Sequence, residues 1–181
     1  MKYRILLVFL LLNFIKAYDR NSMFVGIGFG LGDNITIHTN KNKKTYSHSF
    51  APSWGLVGGY EYKPLRVLGI RAYLQSLMDL QPNGLETIIS NHLSLNVDVS
   101  TNIVYFSKEM TLGAYAGAGV GFSQYQKVIS DPMNNKFHTV FLVNVGIEFK
   151  IDDNNRVQLG IKFPSNIKFT SHTTLAYIYS F

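Results

Sequence analysis

From Ser22 onward the chain alternates. Met23, Val25, Ile27, Phe29 and Leu31 take the odd positions, while Phe24, Gly26, Gly28, Gly30 and Gly32 take the even ones. Successive side chains of a strand point to opposite faces, so this stretch has one bulky face and one that is nearly bare. Of the 15 glycines in the sequence, all but Gly58 and Gly84 fall on the less apolar face of such a pattern. A soluble sandwich buries its bulky face and shows water a polar one, and glycines with scattered charges make a poor solvent surface. A small barrel closed in lipid needs the opposite arrangement, with bulky side chains outward and small or polar ones filling a narrow lumen. Closure also leaves no unpaired edge for hydrocarbon to solvate.

The alternation recurs with its phase reset at each turn. A second strand near 53–62 sets Trp54, Leu56, Tyr60 and Tyr62 against Gly55, Val57, Gly59 and Glu61. A third sets Leu68, Ile70, Ala72 and Leu74 against Gly69, Arg71, Tyr73 and Gln75. The fourth puts Leu93, Leu95, Val97 and Val99 opposite His92, Ser94, Asn96 and Asp98, and runs on through Ile103 and Tyr105. The fifth carries Ala114, Ala116, Ala118, Val120 and Phe122 against Tyr115, Gly117, Gly119 and Gly121. In the sixth, Phe141, Val143, Val145, Ile147 and Phe149 oppose Asn144, Gly146, Glu148 and Lys150. The seventh opposes Val157, Leu159, Ile161 and Phe163 to Gln158, Gly160 and Lys162, and the eighth ends on Leu175, Tyr177, Tyr179 and Phe181.

Links between these strands alternate long and short: 33–50, 63–65, 79–86, 107–109, 124–137, 152–155 and 164–172. Outer-membrane barrels have short periplasmic turns and longer external loops, which puts both chain ends in the periplasm. Under that topology Tyr60, Tyr62, Tyr105, Phe149, Tyr179 and Phe181 form a periplasmic aromatic belt. Trp54, Phe122, Phe141 and Phe163 form an outer one.

The first segment reads as an address. Lys2 and Arg4 precede an apolar run from Ile5 to Ile15 that closes at Lys16-Ala17. These are the parts of a secretory signal peptide, residues 1–17, with 18–181 as the mature domain. The run is too short to cross a hydrocarbon core, which takes about 20 helical residues. Removing it takes Lys2, Arg4 and Lys16 and lowers the formal charge from +6 to +3, too little basic excess to argue for nucleic acid. Charged residues make up 15 % of the chain, against about 25 % in an ordinary soluble domain, as a lipid-facing exterior requires. The absence of cysteine excludes disulfides, thiol nucleophiles and cysteine-ligated metals.

The last eight residues, Thr174-Leu175-Ala176-Tyr177-Ile178-Tyr179-Ser180-Phe181, resemble the C-terminal signal of bacterial outer-membrane proteins, with Ala176 where that pattern prefers glycine. The resemblance implies recognition by the barrel-assembly machinery through Tyr179 and Phe181. The stretch Asn96-Val97-Asp98, the run 112–121 and the terminal Tyr-Ser-Phe are similar to the small outer-membrane proteins of Helicobacter and its relatives. That resemblance implies a Gram-negative outer-membrane protein with an eight-stranded barrel and a role at the cell surface, including adhesion. As the sequence ends on that segment, no peptidoglycan-binding domain is expected after it.

Several groups invite a chemical reading. The repeats Gly26-x-Gly28-x-Gly30 and Gly117-x-Gly119-x-Gly121 lie within strands and lack the strand-to-helix setting of a phosphate loop. Glu61, Arg71, Asp98, Glu148, Lys150 and Lys162 fall on the lumen phase, where charges must pair, so a salt-bridged plug is expected, with a small gated pore as the alternative. His92-x-Ser94 matches residue types used by lipid deacylases, but both fall on the lumen phase, and an interior hydrogen-bond pair is the expectation. His38, His48, His138 and His172 fall at the outer mouths of loops and read as surface histidines rather than a metal-binding rim. Lys41, Lys43 and Lys44 make the first loop basic, which fits either a simply solvated loop or one that contacts lipopolysaccharide or a host surface.

The expectation is an all-β chain, an eight-stranded antiparallel transmembrane barrel, serving as a surface scaffold without catalytic residues, cofactor or metal. Its expected partners are outer-membrane lipid and lipopolysaccharide, the barrel-assembly machinery and a host or surface ligand. The competing class is an outer-membrane enzyme that modifies lipid.

Overall fold

The computed structural model describes residues 21–40, 43–65, 67–83, 86–127, 136–166 and 169–181. The expected signal peptide, residues 1–17, lies outside them. Eight antiparallel strands run in chain order: β1 (Asn21–Asn40), β2 (Lys43–Leu65), β3 (Leu68–Asn83), β4 (Glu86–Tyr105), β5 (Thr111–Lys127), β6 (Lys136–Lys150), β7 (Asn155–Pro164) and β8 (Ser171–Ser180). Each pairs with the next and β8 returns to β1, closing the barrel. At the seam, Met23 and Phe181 exchange backbone hydrogen bonds of 3.2 and 2.9 Å.

The bulky face is the outside. Met23, Val25, Ile27, Phe29 and Leu31 are each at least half exposed, while Phe24 between them is 2 % exposed. Trp54, Leu74, Leu95, Phe122, Phe141 and Leu175 continue this apolar exterior around the barrel. No helix among the described residues is long and apolar enough to cross a membrane, and the crossing is made by strands. The shortest of them, β7 and β8, have 10 residues each. Ten residues at about 3.3 Å each, tilted by about 40°, rise about 25 Å, the height of the apolar band of such barrels.

The glycine face lines the lumen and makes room there. A Cβ on Gly160 would lie 2.1 Å from the Tyr115 hydroxyl, and one on Gly146 would lie 2.5 Å from the same ring, so Tyr115 lies across the wall where β6 and β7 are bare.

Three links differ from their expected lengths because hydrogen-bonded ladders continue past the lipid. The expected first loop, 33–50, is largely a hairpin in which β1 and β2 stay paired from Asp33↔Phe50 to Asn40↔Lys43. The β3–β4 ladder likewise reaches Asn83↔Glu86, and β5–β6 reaches Tyr125↔Lys136. Above the membrane neither face of a strand need be apolar, so the alternation fades while the backbone pairing persists. Lys43 and Lys44 are therefore strand residues at the tip of a hairpin, paired with Asn40 and Thr39, and Lys41 lies outside the described residues. At the opposite end the alternation expected through Ile103 and Tyr105 is broken by a register shift between Asn102 and Val104, which leaves Ile103, Val104 and Tyr105 all exposed.

Candidate functional site

The lumen is filled by polar side chains in three tiers. Nearest the short turns, Glu61 of β2 accepts from Arg156 of β7 at 2.7 Å, and Arg71 of β3 donates to Glu148 of β6 at 2.8 Å. Lys150 lies 3.2 Å from Glu148 and Lys63 lies 3.7 Å from Glu61. Gln158 adds a 2.9 Å hydrogen bond to Glu148. Arg71 is capped by the Tyr115 ring at 4.5 Å and Arg156 by the Phe24 ring at 4.8 Å. Buried charges are costly unless paired and hydrogen-bonded, and each carboxylate in this tier has more than one cation or amide against it.

The middle tier centres on Asp98, which accepts from Tyr73 at 2.9 Å and from Asn144 at 3.0 Å, with Arg71 3.6 Å away. Lys162 donates to Asn96 at 2.8 Å and to Ser94 at 3.4 Å. Ser94 also accepts from the Asn96 amide at 3.0 Å.

The upper tier is built around Asp79 of β3. Its Oδ2 lies 3.0 Å from Nε2 of His92 on β4 and 3.0 Å from Nε2 of His172 on β8, with Oδ1 3.1 Å from the same His172 nitrogen. The two imidazoles meet edge to face at 4.7 Å between centroids. Nδ1 of His92 lies 2.8 Å from Oγ of Ser123 on β5. Asp79 and His172 are 0 % and 3 % exposed. Small neighbours make this burial geometrically accessible: Asp79 pairs with Ser53 and Ser90, and His172 pairs with Gly32.

Of the expected interior charges, Glu61, Arg71, Asp98, Glu148 and Lys162 are buried in the lumen, and Lys150 reaches it from its turn end. Arg156 was not among the expected charges because it borders the 152–155 turn, although it keeps the phase of Gln158 and Lys162. His92 and Ser94 share the lumen face but have different partners, Asp79 and Ser123 for the histidine, Asn96 and Lys162 for the serine. His172 is not a surface residue of a loop mouth. It opens β8 and turns into the lumen, because its even position continues the inward phase of Ala176 and Ile178. Of the remaining histidines, His48 lies 3.0 Å from Asp33 and His138 stands 5.6 Å from the Phe169 ring, both exposed, while the backbone of His38 pairs with that of Thr45 in the hairpin.

Free space follows the tiers. A cavity of about 550 Å³ opens at the turn end, lined by Lys63, Ser100, Asn102, Lys108, Lys150 and Asp153 among others, and Glu61 stands at its inner end. Further in, the cavities around Arg71 and around His92 shrink to about 30 and 20 Å³, room for a water molecule or an ion.

Residues 55–180 match the family model for the Helicobacter outer membrane protein. Among solved structures the chain is similar to the attachment invasion locus protein Ail of Yersinia pestis, in complex with the heparin analogue sucrose octasulfate. The TM-score is 0.53 at 12 % identity, over 90 % of this chain and 99 % of that one. It is also similar to Neisserial surface protein A, with a TM-score of 0.50 at 11 % identity over 87 % and 97 % of the two chains. At these identities the likeness is one of fold. No curated protein matches the sequence.

Proposed function

Because the chain belongs to the Helicobacter outer membrane protein family, we propose that this outer-membrane barrel is a surface scaffold whose projecting hairpins hold a polyanionic glycan, either lipopolysaccharide or a sulfated host polysaccharide. One observation carries the reading. The lumen is packed with ion pairs, while the β1–β2 ladder continues to Asn40↔Lys43 after the β1–β8 ladder has ended at Asp33↔Ser171. Matter that cannot pass through the barrel meets the protein at its outer rim, and the first hairpin stands above that rim by about 18 Å, seven residues at about 3.3 Å and the same tilt.

Charge supports the choice of ligand. Lys41, Lys43 and Lys44 are clustered at the hairpin tip in sequence, and a fold with the same architecture binds a heparin analogue. Residues 1–17 serve in this reading as a cleaved signal peptide, both termini face the periplasm, and Tyr179 and Phe181 are read by the assembly machinery. The last two rings are exposed at the seam and stack at 6.4 Å between centroids, in reach of a factor that binds the barrel edge before closure.

The test is binding of the refolded protein to immobilised heparin and to lipopolysaccharide vesicles. Three lysines at about 1 kcal/mol each against an anionic surface make the triple Lys41→Gln, Lys43→Gln, Lys44→Gln variant weaker by about 100-fold at low salt, with the difference shrinking as salt rises. Equal binding by wild type and triple variant overturns the assignment of the hairpin.

A further inference from the structure

The upper tier is held by hydrogen bonds whose nitrogen and oxygen atoms are also metal-ligand types. Two imidazole nitrogens converge on one carboxylate from opposite walls of the lumen, and the three ligand atoms lie within 4.8 Å of one another. We infer that Asp79, His92 and His172 form a binding site for a single first-row divalent cation of the zinc class, which clamps β8 to the β3–β4 wall across the outer lumen.

Distances favour such an ion. Ligand atoms about 2.0–2.1 Å from a tetrahedral zinc stand about 3.3 Å apart, so the two nitrogen–oxygen separations of 3.0 Å need to open by about 0.3 Å, and the two nitrogens, within 4.8 Å of each other, settle to the same spacing on the ion. Two nitrogens and one carboxylate suit zinc, cobalt or nickel, whereas calcium and magnesium want shells of oxygen. The fourth position is open. Beside His92 and His172 lies a cavity of about 20 Å³, enough for one water and too small for an acyl chain or a sugar ring. This space decides against reading the Ser123–His92–Asp79 relay as a hydrolase, since the serine, 4 % exposed, has no room for a substrate carbonyl.

Ser123 supplies the orientation that metal-ligating histidines require. Without metal, Nε2–H of His92 donates to Asp79 and the Ser123 hydroxyl donates to Nδ1. With metal on Nε2 the proton moves to Nδ1, which donates to the serine oxygen. Gly32 is the other fitting part: a Cβ there would lie 3.1 Å from Asp79 Oδ2 and 2.9 Å from Thr170. Lys162 also borders the cavity, and its ammonium is turned one tier down to Asn96.

The experiment uses the mature chain refolded in detergent, without a histidine tag, titrated with Zn²⁺ against a chromophoric chelator. One zinc per barrel is expected. Asp79→Asn, His92→Gln and His172→Gln each weaken it at least tenfold, whereas His48→Gln leaves it unchanged. Ser123→Ala, which keeps every ligand, weakens binding about 10- to 100-fold. If a ligand variant loses its heat-modifiable gel mobility, the Co²⁺ form of the wild type decides: an intense visible spectrum of a four-coordinate ion supports the site, and the faint spectrum of aquated cobalt overturns it. Absence of zinc binding by folded wild type, or binding that survives all three ligand substitutions, also overturns it.

Discussion

Glu148→Met tests whether the charges of the tier nearest the short turns act as one coupled unit. Glu148 is fully buried, accepts from Arg71 at 2.8 Å and Gln158 at 2.9 Å, and has Lys150 at 3.2 Å. Removing it leaves Arg71, 2 % exposed, with only Asp98 at 3.6 Å as an ion-pair partner among the described residues. Stranding a buried charge costs about 3–5 kcal/mol, and an excess of cations in one tier puts this variant near the top, about 5 kcal/mol. Arg71→Met strands two carboxylates, but Glu148 keeps Lys150 and Gln158, and Asp98 keeps Tyr73 and Asn144, so its cost lies near the bottom, about 3 kcal/mol. The double variant removes both charges and replaces them with apolar side chains of similar reach. Its cost is expected below about 3 kcal/mol, giving a coupling of at least about 5 kcal/mol. Equilibrium urea unfolding in lipid vesicles measures all three, reported by Trp54, the one tryptophan of the chain, which faces the lipid. Additive single costs in the double variant, or a Glu148→Met barrel as stable as wild type, would refute the reasoning that these charges are held by one another.

Two further outcomes follow from local geometry. A Cβ on Gly117 would lie 2.1 Å from the Val97 carbonyl and 2.2 Å from Asp98 Oδ1, whereas one on Gly28 meets nothing nearer than 3.5 Å; Gly117→Ala is expected to abolish the heat-modifiable folded band and Gly28→Ala to keep it. In the 152–155 turn the Asn155 side-chain amide and the N–H groups of Asn155 and Asn154 donate to Asp152 and hold its carboxyl below the usual carboxylate range. That contribution is present above the ordinary carboxylate pKa and is lost as pH falls through the lowered one, so acidification from pH 5 to pH 2 lowers the melting temperature of wild type more than that of Asp152→Asn, and equal slopes count against the turn's role.

The strands were legible because lipid imposes a chemical alternation on them. Every outward residue from Met23 to Leu31 is apolar for the same reason, and the glycine face could be assigned to the lumen before any contact was known. The hairpin above Asp33 was not, since beyond the lipid neither face of a strand need be apolar and the ladder that joins 33–40 to 43–50 leaves no hydropathic trace. The interior charges were readable by phase, apart from Arg156 at a turn boundary. The Asp79 cluster lay hidden for another reason. Asp79 continues the inward series Arg71, Tyr73, Gln75, Leu77, and His172 continues that of β8, so phase alone puts both in the lumen. Their meeting across 93 residues depends on barrel register, which no local pattern encodes.

The unequal strands give the molecule a front and a back in the plane of the membrane. β1, β2 and β4 have 20, 23 and 20 residues and stand as a parapet, while β7 and β8 stop after 10. On the low flank a neighbouring lipid or protein can come up to the barrel wall with no tall hairpin from β7 or β8 in its way, and on the high flank it meets projecting hairpins first. Lateral crowding on the hairpin side of the membrane is therefore directional for this barrel, and its neighbours have a preferred side from which to approach.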